Sequence, residues 1–204
     1  GNCSIICPHA AIRMKVYPDL PHGCRYPEVE WVNEDGMTCA DPMTFVCQIR
    51  LQDIAAYDSE NLLSHTGMLY FFADIDYFLG NLEADSPGMG QWDKDRFCVL
   101  YAPETEHLDT HRIVREDGTA FGLPAQELSF VHCEEHTDGF KLLGKPYFEE
   151  TEEEYPHYIS LLQLDCNDDW RLQFYDCGML NFLITPEDLA ARKWEQAICH
   201  LHSF

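Results

Sequence analysis

Short apolar runs separated by turn formers dominate the hydropathy pattern of this chain. Residues 45–51, 68–72, 97–101, 128–133, 159–165 and 179–184 are rich in β-branched and aromatic side chains, which suit packed, pleated surfaces. Asp-Gly pairs at 35–36, 117–118 and 138–139 and a Pro-Gly pair at 87–88 punctuate them,. Strands in this number, without regular helical periods between them, predict antiparallel or mixed sheets. The clearest helical signal is the last one. Thr185, Pro186 and Asp188 have the spacing of a capped first turn, and Leu189, Trp194, Ile198 and Leu201 follow at roughly helical spacing,. A shorter helix is expected over 52–63. The reading is an α+β fold: one β-rich domain with a C-terminal helix packed on its core.

The pattern also repeats. Phe45-Val46-Cys47-Gln48-Ile49 matches Ser160-Leu161-Leu162-Gln163-Leu164, and Gly67-Met68-Leu69-Tyr70-Phe71-Phe72 matches Gly178-Met179-Leu180-Asn181-Phe182-Leu183. Acidic residues follow each copy, Asp74 and Asp76 in one, Glu187 and Asp188 in the other. Two copies predict a duplication into two pseudo-symmetric halves, covering about 45–72 and 160–183, rather than a solenoid. The expected domain spans 16–204, with 1–15 as an N-terminal extension.

Charge changes this picture from fold to partners. The 204 residues hold 36 Asp and Glu against 13 Lys and Arg, a net charge of −23. Such a surface repels nucleic acid and favours fast association with a basic protein. No Lys or Arg occurs between Arg50 and Lys94, or between Lys145 and Arg171. The second gap holds Glu149, Glu150, Glu152, Glu153 and Glu154. This run reads either as a solvated loop or as a docking face for a basic partner. No apolar stretch reaches the length of a membrane-spanning helix.

Ten cysteines are present. The chain is too long and too apolar to need disulfide staples, and several cysteines sit in apolar runs where a thiol acts as a small hydrophobe. At least eight are expected to be free, in a reduced, cytoplasmic compartment. His132, Cys133 and His136 are weak candidates for a metal site, as are Cys3, Cys7 and His9 joined with Cys199, His200 and His202 if the termini meet; neither shows paired Cys-x-x-Cys spacing. Residues 165–176 begin like a calcium loop, but Trp170 stands where a sharp turn needs Gly,. The expectation is no metal and no cofactor. No nucleophile elbow, phosphate-cradling loop or dinucleotide fingerprint appears. Gln48 and Gln163 are different: amides inside apolar strands must find partners. Each either ties down neighbouring backbone or, with Asp176, lines a ligand pocket between the halves.

Pro18-Asp19-Leu20-Pro21, Tyr26-Pro27, Gln48, 67–72, 161–165 and Asp176-Cys177-Gly178-Met179-Leu180 follow the motif order of the YwqG-like family. This is a bacterial domain of unknown function, which the chain resembles from about Val16 to its end. Lys15-Val16-Tyr17 replaces the family's Gly-Gly approach to Pro18, Tyr26 replaces Trp, and Tyr175 replaces the Gly before Asp176. Leu143-Gly144-Lys145-Pro146 keeps only part of a Gly-Gly-x-Pro pattern. The family's distant similarity to suppressor-of-fused domains implies protein binding. The expected function is therefore a non-catalytic binding module, in its sharpest form an immunity-type inhibitor of a basic toxin such as a nuclease. The alternative is an enzyme or small-ligand binder using Gln48, Gln163 and Asp176.

Overall fold

A computed structural model describes residues 3–13, 15–125 and 127–204, with side chains for 15–125 and 130–204. The chain begins with β1 (Cys3–Arg13), β2 (Asp19–Pro21) and a hairpin of β3 (Glu28–Val32) and β4 (Thr38–Pro42). Next come β5 (Thr44–Arg50), the one-turn helix α1 (Leu51–Ile54) and β6 (Met68–Ala73). β7 (Gly90–Gln91), β8 (Phe97–Ala102), β9 (Leu108–Thr110), β10 (Glu127–Cys133) and β11 (Lys141–Leu142) follow. The last elements are α2 (Glu149–Glu154), β12 (Ile159–Leu164), β13 (Met179–Ile184), α3 (Pro186–Ala190) and β14 (Ile198–His202).

The fold is a single β-rich domain whose named strands all pair antiparallel. A seven-stranded sheet has the order β10-β1-β11-β12-β13-β14-β7, and a three-stranded sheet has the order β5-β6-β8. The main core lies between them, where Phe71 of β6 meets Phe182 of β13 edge to face at 5.2 Å. A second apolar cluster of Leu20, Tyr26, Met43, Phe45, Tyr70 and Phe72 covers the other face of the small sheet. β6 and β13 are thus buried on both faces, all six residues of each. That is why their sequences are continuous apolar runs instead of alternating ones.

The two matched segments share more than composition. β5–β6 is bulged between Phe45 and Cys47, and β12–β13 between Ser160 and Leu162, the matching positions. Gln48 opposes Tyr70 and Leu100 follows on β8; Gln163 opposes Asn181 and His200 follows on β14. A 3₁₀ turn precedes the third strand in each case. The triplets β5–β6–β8 and β12–β13–β14 therefore have one register. Phe71 and Phe182 are themselves matching positions, and their rings touch across the core.

The C-terminal helix starts at the expected cap. Thr185 Oγ1 accepts from the Asp188 amide at 3.1 Å and donates to the Asp188 carboxylate at 2.9 Å. It ends at Ala190, because Arg192 takes a left-handed turn. Ile198 and Leu201, expected on the helix, instead belong to β14. A strand here satisfies the free edge of β13, and burial on both faces erased the period that would have identified it. The helix expected over 52–63 is only one turn, α1. Beyond it the buried Asp58 carboxylate accepts the amides of Leu62 and Leu63 at 3.0 and 2.8 Å and shapes a loop. The run 149–154 is helical as α2, not a loop. Glu149, Glu150 and Glu152 sit in its first turn, where the helix dipole favours them,. Residues 3–13, ahead of the expected domain start, form a strand within the large sheet.

Cys24, Cys39, Cys47, Cys98, Cys166, Cys177 and Cys199 are free thiols. Burial pushes the Cys47 thiol up to about 12 and that of Cys199 well above its ordinary value, so both are inert hydrophobes in the folded state. Thiol titration of denatured, unreduced protein is expected to find at least eight reactive groups. Fewer than seven would contradict the free thiols seen here.

Candidate functional site on the outer face of the large sheet

Directly opposed residues of a sheet point to one face. Lys141, Gln163, Asn181, His200 and Gln91 oppose one another in turn across β11, β12, β13, β14 and β7. They form one polar row on the outer face. The adjacent row, Leu142, Leu162, Phe182 and Cys199, is apolar and faces the core. Lys141, Gln163, Asn181 and His200 are nevertheless buried: residues 135–139 bond Lys141 and Gln163, and Tyr147 and Tyr155, on either side of α2, reach Gln163 and His200.

The two glutamines have matching partners. Gln163 accepts the Tyr147 amide at 2.9 Å and donates to the carbonyls of Gly139 and Thr137 at 2.9 and 3.2 Å. Gln48 accepts the Asp19 amide at 2.8 Å. Tyr147 and Asp19 each follow a proline, Pro146 and Pro18, so each half uses its glutamine to hold a Pro-containing strap. The two glutamines bond different segments and do not meet. Around Gln48 the strap is polar: Thr110 donates to the Asp19 carboxylate at 2.6 Å, Lys15 pairs with it, and Tyr70 donates to the Asp19 carbonyl at 2.6 Å. Burial opposes the Asp19 charge, but Lys15 and Thr110 outweigh it and hold the carboxyl below its ordinary value. Asp176 lies elsewhere, exposed in the turn before β13, where its carbonyl accepts from Ser203 at 2.9 Å.

The second strap continues into α2. Phe148, at its start, packs on His202 with ring centroids 4.6 Å apart, and Tyr155, at its end, packs on His200 at 5.1 Å. Glu152 pairs with Lys145 at 2.7 Å and lies 3.4 Å from His136. His136 also bonds the Pro146 carbonyl at 3.2 Å. Glu149, Glu150, Glu153 and Glu154 are exposed. Of the acidic run, half-buried Glu152 makes the closest pairs to neighbouring segments, while exposed Glu154 reaches to 4.0 Å from the His200 ring. Burial depresses the His200 pKa and nearby His202 adds to this, against the pull of Glu154.

His132 packs its ring on Tyr57 at 5.6 Å, turned to a different neighbour from His136. Among the described residues no three His, Cys, Asp or Glu groups converge as a metal site. The side chains of Cys3, Cys7 and His9 lie outside the described residues. A cleft of about 270 Å³ opens elsewhere, between the loop after α1 and the segment around α3, lined by Leu62, Leu63, Ser64, Leu189, Arg192 and Trp194. No helix is long and apolar enough to cross a membrane, among the described residues.

Asn181 and Thr151 carry no site signal of their own in the linear sequence, and His200 carries one only as part of the terminal Cys and His cluster. One signal was present in the repeat: Asn181 stands where the first copy has Tyr70.

Fold and site define a β-rich domain with two register-matched strand triplets, one covered by an apolar layer and the other by a polar row under an acidic helix. The chain belongs to a family described as a domain of unknown function (DUF1963), whose model matches residues 17–202. No curated protein matches the chain.

Proposed function

We propose that the protein is a non-catalytic binding module whose acidic surface receives a basic protein, in its sharpest form an immunity-type inhibitor covering the cationic cleft of a toxin or nuclease. The observation that carries this reading is α2: a helix fixed to the sheet by Phe148 and Tyr155 and to neighbouring segments by Glu152, which presents Glu149, Glu150, Glu153 and Glu154 to solvent. A rigid array of like charges gives electrostatic complementarity without the entropy cost of ordering a loop. The net charge of −23 extends the same attraction over the surface. The resemblance to YwqG-like proteins, distantly similar to suppressor-of-fused domains, supports binding over catalysis. The compartment that fits free thiols is the bacterial cytoplasm.

The test is a variant carrying Glu149→Gln, Glu150→Gln and Glu153→Gln, which spares Glu152 and its pairs. A partner is captured from native lysate and its binding kinetics are measured at two salt concentrations. Association should slow at least tenfold at low salt, lose most of its salt dependence, and leave the melting temperature unchanged or slightly higher, because exposed charges act through screened long-range attraction. Equal association rates for variant and parent would remove α2 from the interface. The second reading, a small-ligand binder, is favoured by the 270 Å³ cleft and gains if no basic partner is recovered.

A further inference from the structure

Three buried side-chain atoms at the seat of α2 have no hydrogen-bond partner among the described residues: Thr151 Oγ1, Asn181 Nδ2 and His200 Nδ1. They come from three elements that face one another. Asn181 and His200 are directly opposed on β13 and β14. Thr151 shares a helical face with Phe148 and Tyr155, whose rings rest on His202 and His200. The residue between these two contacts must therefore look down on the strip of sheet that holds Asn181 and His200. Thr151 and Asn181 are completely buried and His200 is 3% exposed.

The matching positions in the first triplet make the comparison sharp. There the same face holds Phe45, Tyr70 and Leu100, and an apolar cluster covers it. The second triplet has Ser160, Asn181 and His200 in their places. Polar groups left unsatisfied here would each cost stability, and one enclosed polar group bonded to all three would remove that cost,.

We propose that a water molecule is bound between α2 and the outer face of β13–β14, held by Asn181 Nδ2, His200 Nδ1 and Thr151 Oγ1. The donors and acceptors match. Ser160 donates to Asn181 Oδ1 at 2.8 Å, which orients the amide and leaves Nδ2 as a donor to the water. With the hydrogen on Nε2, toward Glu154 at 4.0 Å, His200 Nδ1 is free to accept from the water. The Thr151 hydroxyl takes the third position. Three partners are the usual complement of a buried water. The site goes beyond the binding function proposed above and stands without it: it concerns how α2 is seated, not what α2 contacts.

Two experiments test it on the full chain. A crystal structure at about 1.5 Å should show a solvent peak within hydrogen-bond distance of all three atoms. Their pairing with protein atoms instead, or a dry site, overturns the proposal. Thr151→Val, which keeps the shape and removes the hydroxyl, should lower the melting temperature by about 2–4 °C, the shift that loss of one such bond produces in a chain of this size. An unchanged or raised melting temperature means the hydroxyl was unpaired and overturns the water.

Discussion

Alanine at Gly67 or Gly178 is expected to destabilise the protein by about 3 kcal/mol, at the upper end of what forced overpacking costs. An added Cβ at Gly67 would fall less than 3.0 Å from the Ala102 carbonyl and the Tyr101 ring; at Gly178 it would fall 2.5 Å from the Phe174 carbonyl and 2.8 Å from the His202 carbonyl. Ala102 and His202 are matching positions on β8 and β14. Each triplet therefore brings the backbone of its third strand against the glycine that opens its second. The clashing atoms include backbone, which cannot turn aside. Gly67 also has a φ of +87°, whereas Gly178 does not lie in the left-handed region, so Gly67→Ala should be the worse by about 1 kcal/mol. Gly36→Ala separates the two causes: its φ is +77° and a Cβ there meets nothing, so it should cost only that 1 kcal/mol or so. Denaturant unfolding measures all three. Equal costs at Gly178 and Gly36 would mean that close approach does not matter.

Gln163→Leu should cost about 3 kcal/mol, because it removes three hydrogen bonds of a fully buried amide, to the Tyr147 amide and the carbonyls of Thr137 and Gly139, each with a net worth of about 1 kcal/mol,. Gln48→Leu should cost only about 1 kcal/mol. Gln48 is partly exposed, and the Asp19 strap keeps its bonds to Thr110, Lys15 and Tyr70. The expected melting shifts are roughly 10 °C and 3 °C. Thermal unfolding of both variants decides the matter, and equal shifts would refute the assignment of Gln163 as the main tie of the second strap.

Six of the fourteen strands among the described residues, those in long apolar runs, were legible in the sequence, and so was the pairing logic of the two matched segments. The Gln and Gly-Met-Leu matches pointed to the same registers that β5–β6 and β12–β13 adopt. What the sequence hid was governed by burial on both faces. In Ile198-Cys199-His200-Leu201-His202 neither face is solvated, so no alternation marks a strand, and a capped turn upstream favoured a helix. The straps were hidden for another reason. Gln48 reaches Asp19 and Gln163 reaches Tyr147 across loops of unrelated length, so no spacing connects them. Asn181 and His200 become a site only through cross-strand register, which a linear pattern cannot contain. The departures from the family's glycines, by contrast, were meaningful: Leu143 and Tyr175 have φ of +64° and +49°, left-handed conformations that glycine adopts without penalty.

The order in which the two triplets are made has a consequence for biosynthesis. β5, β6 and β8 are complete long before β12 leaves the ribosome, and their contacts are close in sequence, so they can pair early. Their inner face, with Phe71 and Phe97, has no cover until Phe182 arrives. During that interval the nascent chain exposes an apolar sheet surface of the kind that chaperones recognise and that aggregates if synthesis stalls. The edge-to-face contact of Phe71 with Phe182 can form only after that interval, and it turns an exposed apolar sheet into the closed core of an acidic domain.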